Sequence, residues 1–198
     1  LTPPLQARVL FWLGLSAWEL GESELAQQIW QQLLIEHPFG YYGWRASERL
    51  QQTPNALPPP TSPPDGLLPE ELEQLLALGI PVEAWEQWRT QRGGQPPKSP
   101  RELWQEGVLR LGVGDRWIAL EQLDRANRLG AADDLSQQVL LEQHRHPRNF
   151  ESLLNQAADN EQLDPDLLLG LARQESRLNP TVRSRAGALG LLQLLPST

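Results

Sequence analysis

Residues 164–177 have the sequence Asp-Pro-Asp-Leu-Leu-Leu-Gly-Leu-Ala-Arg-Gln-Glu-Ser-Arg. Asp164 is a favourable N-cap residue, and Pro165 suits the first position of a helix. Because Pro180 disfavours helical backbone at the residue before it, the chain should leave the helix near that point. The sequence therefore predicts one helix from about Pro165 to Leu178.

Glu175 is the most informative residue of this helix. It follows apolar residues at spacings of three and four, and Leu178 comes three residues after it. This spacing predicts that Glu175 lies on the buried stripe of the helix. No cation lies three or four residues away, and Arg173 and Arg177, two positions away, point elsewhere. Burial without a cation disfavours the charged form, so the carboxyl group keeps its proton near neutral pH, as a general acid requires, and we expect a catalytic acid. The alternative is a surface glutamate in an ion pair.

The composition excludes several classes of function. The chain has 198 residues, 17 basic and 25 acidic, with no run of Lys or Arg, so nucleic acid is not an expected partner. It has no cysteine, and its only close histidines, His144 and His146, have no predicted acidic ligand, so we expect no metal site and no cofactor. No stretch of 18 apolar residues is present, so we expect no membrane span.

The distribution of charge along the chain is uneven. From Leu167 onward there are four arginines and one acid, Glu175. Such a basic segment favours either an anionic ligand or a solvated basic surface.

Helical patterns and breaks predict four segments. Residues 1–52 form a helical hairpin with a third helix, and residues 53–66, with six prolines, form a linker. Residues 67–146 continue the helices, with predicted limits of 69–78, 81–91, 101–111, 115–128 and 133–145. Residues 147–198 are a separate unit that begins with a helix over 149–161. All eight tryptophans precede residue 147, and we expect most of them to pack between helices rather than bind sugars.

The first hairpin has the pattern of a helical repeat. Small residues such as Gly14, Ala17 and Ala26 alternate with tryptophans, an order that is similar to a tetratricopeptide-type repeat. The Leu-Gly pair that ends the first helix recurs at Leu111-Gly112 and Leu129-Gly130. The predicted fold is therefore all-α, with a helical-repeat superhelix before the final unit.

The final unit carries a specific set of motifs. Gln-Glu-Ser at 174–176 is followed by Asn-Pro at 179–180, by Ser-x-Ala-Gly-Ala-x-Gly-Leu-Leu-Gln at 184–193, and by Pro-x-Thr at 196–198. Residues 147–198 thereby resemble the start of the catalytic domain of soluble lytic transglycosylases, which has a goose-lysozyme-like α fold. Leu192 stands where that family usually has Met. The preceding helices resemble the superhelical region that often comes before this domain.

The resemblance implies an activity and its residues. The family cleaves the β-1,4 bond between N-acetylmuramic acid and N-acetylglucosamine in peptidoglycan without water, leaving a 1,6-anhydromuramoyl end. It implies Glu175 as the single general acid and base, with Ser176, Gly190, Leu192 and Gln193 contacting the glycan. The implied partner is the peptidoglycan strand and the implied location is the periplasm or cell envelope; protein partners of the superhelix are not specified.

One further expectation and two alternatives complete this interpretation. In the family, a tyrosine opposite the glutamate and an Ala-Tyr-Asn-Ala-Gly segment come later in sequence, so we expect this chain to be a truncated, inactive piece of an active parent. A non-catalytic scaffold that binds protein or glycan is one alternative. A water-using lysozyme on the same fold is the other, and its products would have a reducing end.

Overall fold

A computed structural model describes residues 2–58 and 66–197 of the chain, and within these residues the fold is all-α. The described residues form ten helices and contain no strand beyond two isolated bridges, Arg183 to Leu189 and Leu189 to Leu194. The helices are α1 Pro3–Glu19, α2 Ser23–Glu36, α3 Gly40–Arg49, α4 Glu70–Ala77, α5 Pro81–Gln91, α6 Pro100–Gly112, α7 Arg116–Arg128, α8 Leu135–Arg145, α9 Glu151–Glu161 and α10 Pro165–Ser176. The predicted fold class is confirmed.

The first helical hairpin packs through a small residue opposite a large one. Trp30 of α2 is 1% exposed, and its Nε1 donates a hydrogen bond to the Phe11 carbonyl at 3.3 Å. A Cβ atom at Gly14 of α1 would lie 2.5 Å from Trp30 Nε1. The two helices can therefore approach this closely only with glycine at position 14, which is the packing that the repeat pattern predicts.

Helices α4 to α8 share the largest apolar core. Trp104, Leu109 and Leu120 are buried there, and α6 and α7 are in close contact because a Cβ atom at Gly107 would lie 2.7 Å from Leu123 Cγ. Ser99 begins α6 with a capping box, in which its side chain accepts from the Glu102 N–H and Glu102 accepts from the Ser99 N–H. This core holds α7 firmly, which matters because the last unit rests on α7.

The first 146 residues form two apolar clusters and the last unit forms a third. The clusters are built by α1 to α3, by α4 to α8, and by α9 and α10 with Leu178. The predicted segment limits of 1–52, 53–66, 67–146 and 147–198 stay a prediction. Residues 53–58 of the proline-rich segment have no regular structure, and residues 59–65 lie outside the described part of the chain.

The tryptophans differ in burial, and fewer of them lie in the core than we expected. Trp30, Trp88 and Trp104 are buried, whereas four others are between 44% and 52% exposed: Trp12, Trp18, Trp44 and Trp117. Helical spacing predicts that a large residue is on one face of a helix, but it does not say whether another helix covers that face. Trp117 on α7 is the exposed tryptophan that contacts the last unit.

His144 on α8 is a half-buried histidine. Its Nδ1 accepts a hydrogen bond from Trp104 Nε1 at 3.1 Å, and burial lowers its pKa to about 4 from the ordinary value of 6.5. The unfolded chain therefore binds the proton more readily than the folded chain between these two pH values. The contribution of His144 to stability is complete above about pH 6.5 and is lost as the pH falls toward 4.

This titration gives a testable pH dependence. Lowering the pH from 7 to 4 should cost the chain on the order of 3 kcal/mol of unfolding free energy through His144 alone. A His144→Asn variant keeps an acceptor for Trp104 but cannot titrate, so its stability should fall less over the same range. Urea unfolding at pH 7, 5.5 and 4 measures both slopes; equal slopes in the two proteins would contradict the assignment.

Candidate active site

Helix α10 begins as the sequence predicts and ends two residues earlier. The Asp164 carboxylate accepts a hydrogen bond from the Asp166 N–H at 2.8 Å, and Pro165 is the first helical residue. The helix stops at Ser176 because Arg177 and Leu178 have φ values of 52° and 58°, in the left-handed region. Each such residue costs roughly 1–2 kcal/mol. The complete burial of the Leu178 side chain offsets this cost, together with a hydrogen bond from its N–H to the Ala172 carbonyl.

Glu175 lies on the last turn of α10 and is exposed, so the predicted position on the buried stripe is wrong. The buried row of α10 is Leu168, Ala172 and Ser176, which are four residues apart and face α9. Leu171, one turn before Glu175, is 42% exposed on the same flank. With 100° between successive residues, Glu175 points about 60° away from the centre of the buried row. The spacing of apolar residues placed Glu175 near the buried stripe of α10, but it could not distinguish the border of that stripe from its centre.

Glu175 is also unpaired within the described part of the chain. No side chain or backbone group of residues 2–58 or 66–197 makes a hydrogen bond or ion pair with its carboxylate. The predicted alternative of a surface glutamate in an ion pair is therefore not observed among these residues. The carboxylate is open to a group brought from outside.

Ser176, which the resemblance implies as a glycan contact, packs inside the last unit in this structure. It is completely buried, and its Oγ donates a hydrogen bond to the Ala172 carbonyl at 2.8 Å. Serine hydroxyls commonly bond to the carbonyl four residues earlier in a helix. In this structure Ser176 packs α10 against α9, and its role in glycan binding stays a prediction.

The loop after α10 folds back on itself and is held by Gln193. Its Nε2 donates to the Gly190 carbonyl at 2.9 Å and to the Val182 carbonyl at 3.2 Å. The Gly190 N–H also donates to the Val182 carbonyl, and Gly190 has a φ of 71°, which side chains other than glycine disfavour. The turn needs glycine at position 190 for its backbone angle.

Leu192 faces the apolar cluster of the last unit. It is half-buried and packs with Leu191 against a core that includes Leu168, Ala172 and Leu178. Among the described residues this contact is internal, so the predicted contact of Leu192 with substrate stays a prediction. The loop 179–194 follows the turn that carries Glu175. Leu192 of this loop and Ser176 of α10 both pack inside the last unit.

Two arginines that flank Glu175 make contacts that the sequence did not reveal. Arg173 donates to the Arg145 carbonyl at 2.7 Å and to Asp124 Oδ1 at 2.9 Å. Arg177 donates to the Trp117 carbonyl at 2.8 Å, and its guanidinium lies 4.5 Å from the centroid of the Trp117 ring. Two of the four basic residues of this segment thus bind the superhelix. In the sequence, the only indication of these contacts was the i, i+4 spacing of Arg173 and Arg177, together with the acidic residues on α7.

The two close histidines do not converge on a common point. His144 is bonded to Trp104, whereas His146 lies 3.3 Å from the Glu142 carboxylate. The structure therefore corrects the expectation that no acidic residue accompanies His146. In residues 2–58 and 66–197 there is no group of three or more His, Asp and Glu side chains arranged to hold a metal ion. Nor is any helix in these ranges both long and apolar enough to cross a bilayer.

Comparison with known proteins gives one family match and one curated relative. The Transglycosylase SLT domain family matches residues 152–198. A protein of Haemophilus influenzae that carries the name soluble lytic murein transglycosylase is 43% identical over 54 residues, which is 27% of this chain and 9% of that protein. The chain therefore spans a small part of the relative that it matches.

Solved structures extend the likeness to nearly the whole chain at the level of the fold. The 70-kDa soluble lytic transglycosylase of Escherichia coli superimposes with a TM-score of 0.59 and 21% identity, over 97% of this chain and 30% of that one. A lytic transglycosylase Slt of Pseudomonas aeruginosa gives a TM-score of 0.61 and 22% identity over the same shares. The last unit, which carries the motif around Glu175, is therefore similar in sequence to the Transglycosylase SLT domain, and nearly the whole chain is similar in fold to soluble lytic transglycosylases.

Proposed function

We propose that the protein to which this chain belongs is a lytic transglycosylase that cleaves the β-1,4 bond between N-acetylmuramic acid and N-acetylglucosamine in peptidoglycan, leaving a 1,6-anhydromuramoyl end. The observation that carries the proposal is the position of Glu175. It is an exposed, unpaired carboxylate on the last turn of α10, directly before the Gln193-held loop and inside the segment matched by the SLT domain. We propose the periplasm or cell envelope, where peptidoglycan lies, as the location.

Glu175 acts as the single acid and base in this proposal. Its protonated carboxyl group donates a proton to the glycosidic oxygen as the C1–O bond breaks. The N-acetyl group of the substrate stabilises the positive charge that develops at C1. The Glu175 carboxylate then takes the proton of the 6-hydroxyl while O6 bonds to C1, so that the proton returns to Glu175 and no water is consumed. Ordinary glycosidases divide these roles between two carboxylates.

Support for an essential glutamate comes from one protein of similar fold. The Pseudomonas aeruginosa structure is that of an inactive variant in which a glutamate is replaced by glutamine. We propose the corresponding role for Glu175 because it lies in the Gln-Glu-Ser motif and has no competing partner in the described structure. Ser176, Gly190, Leu192 and Gln193 are proposed to border the glycan or to support the residues that do.

The 198-residue chain on its own should not release products. The proposed acid needs a partly enclosed environment to hold its proton near neutral pH, and Glu175 is exposed on a flank that no described residue covers. The full-length protein should be active.

Product analysis tests the proposal. Purified glycan strands are digested with the full-length protein and with the 198-residue chain, and the released ends are identified by mass spectrometry. We expect anhydro ends, which are 18 Da lighter than reducing ends by the mass of one water, from the full-length protein only. Reducing ends would establish a hydrolytic lysozyme instead, and no cleavage by the full-length protein would favour the non-catalytic scaffold.

A further inference from the structure

Helix α7 of the superhelix contacts α10 along one side. Trp117, Glu121 and Asp124 follow one another at spacings of four and three, so they lie on one face of α7. All three contact an arginine of the last unit: Arg177 binds Trp117 and Glu121, and Arg173 binds Asp124. We call Trp117, Glu121 and Asp124 the α7 seat.

The contact at Asp124 is the stronger half of the α7 seat. Asp124 Oδ1 accepts hydrogen bonds at 2.9 Å from both Arg145 and Arg173. The side chains of Asp124, Arg145 and Arg173 are 28%, 18% and 21% exposed, so this cluster is partly shielded from water. Arg173 also donates to the Arg145 carbonyl near the end of α8, so one guanidinium joins α7, α8 and α10. Charge-assisted hydrogen bonds of this kind are stronger and more directional than neutral ones.

The contact at Glu121 contributes less to holding the last unit on α7 than the contact at Asp124 does. Its side chain is 61% exposed, and Arg177 Nη1 lies 3.3 Å from it, so solvent weakens the ion pair. The Trp117 carbonyl and ring give Arg177 two further contacts that do not depend on Glu121. At the start of α7, the Arg116 guanidinium lies 5.4 Å from the centroid of the Phe150 ring, just before α9. The last unit is thus attached to α7 at both ends of the seat.

These contacts set the rotation of α10 about its axis. Residues two positions apart in a helix point about 160° away from each other. Because Arg173 is directed at α7 and α8, Glu175 is directed to the opposite, exposed side. The Arg173 fork, which binds two partners at once, restricts rotation of α10 about its axis more than its apolar row alone does.

We infer that Asp124 and Arg173 are positioning residues that fix the direction of the Glu175 carboxylate, so that the superhelix contributes to catalysis through α7. This inference rests on the proposed function of Glu175. It assigns the superhelix a role in the chemical step without any contact between α7 and substrate.

The test uses the full-length protein and soluble, uncrosslinked glycan strands. Asp124→Asn and Arg173→Gln should each lower kcat about tenfold with KM changed less than twofold, because the acid stays present but is less well aligned. The double variant should lose no more than either single variant, since both act through one contact. Arg125→Gln is the matched control: Arg125 is exposed on α7 and has no ion pair among the described residues, and its activity should be unchanged.

Several results would overturn the inference. They are a kcat within twofold of the unsubstituted protein for both single variants, losses that multiply in the double variant, or a raised KM at constant kcat. Circular dichroism melting shows the folded fraction at the assay temperature. If Asp124→Asn is partly unfolded, Arg173→Lys replaces it: lysine keeps the charge but cannot reach Asp124 and the Arg145 carbonyl together, so kcat should still fall.

A Glu175→Gln variant in the same assay separates the two ideas. If Glu175→Gln stays active, the proposed function fails and the positioning role fails with it. If Glu175→Gln is inactive while Asp124→Asn and Arg173→Gln are fully active, only the positioning role fails.

Discussion

A full-length protein with Glu175→Gln should lose kcat on glycan strands by a factor on the order of 10³ to 10⁴, because the amide can neither give a proton to the leaving oxygen nor take one from the 6-hydroxyl. The size of the loss follows from the use of one group in both steps. Glutamine has nearly the same shape as glutamate, and Glu175 has no ion pair or hydrogen bond in the described structure. The substitution should therefore leave the melting temperature unchanged.

A matched control is available in the neighbouring helix. Glu161 is also exposed and is the last residue of α9, so Glu161→Gln removes the same charge from a similar place. Its activity should equal that of the unsubstituted protein. Glu175→Asp keeps the acid but withdraws it by one methylene group, so its kcat should lie between those of Glu175→Gln and Glu161→Gln. Retention of more than about a tenth of kcat by Glu175→Gln would rule out Glu175 as the general acid and base.

Substitution Gly14→Ala should destabilise the first hairpin, although alanine is the better helix former. Its Cβ atom would lie 2.5 Å from Trp30 Nε1 and 2.7 Å from Cδ1, well inside van der Waals contact. Trp30 cannot move freely because it is 1% exposed and hydrogen-bonded to Phe11. Overpacking of this kind costs typically 1–3 kcal/mol, whereas the gain in helix propensity is about 1 kcal/mol. The net loss should be up to about 2 kcal/mol.

Gly170→Ala provides the opposite case in α10. A Cβ atom at Gly170 would have nothing within 4 Å, so only the gain in helix propensity remains, and the stability should rise by up to about 1 kcal/mol. Urea unfolding of the 198-residue chain, followed by tryptophan fluorescence and by circular dichroism, measures both changes. A Gly14→Ala variant at least as stable as the parent chain would show that α1 and α2 can separate without cost.

Local signals in the sequence predict most of the helices. Proline and capping residues mark the start of α6 and α10, and apolar spacing marks the length of α5, whose predicted limits of 81–91 are those of the structure. The end of α10 was wrong by two residues because the burial of Leu178 depends on α9, which local rules do not include. Apolar periodicity describes one helix at a time, whereas the residue at which a helix ends also depends on the helices packed against it.

The candidate site shows the same limit. The motif identified Glu175, but spacing alone assigned it to the wrong face, because the pattern places Leu171 in the core, whereas Leu171 is 42% exposed in the structure. The contacts of Arg173 and Arg177 with α7 join residues 49 to 60 positions apart. Such long-range pairs cannot be read from one sequence, where an arginine on a helix has many equivalent partners.

The two hydrogen bonds made by Gln193 have a consequence for what it can recognise. Both partners of Nε2, the carbonyls of Val182 and Gly190, are acceptors, which fixes the orientation of the amide and engages both of its N–H groups. Only the lone pairs of Oε1 remain. A molecule that reaches Gln193 therefore meets an acceptor and no donor, so a sugar hydroxyl or an amide N–H is complementary to it, and a carbonyl or carboxylate oxygen is repelled.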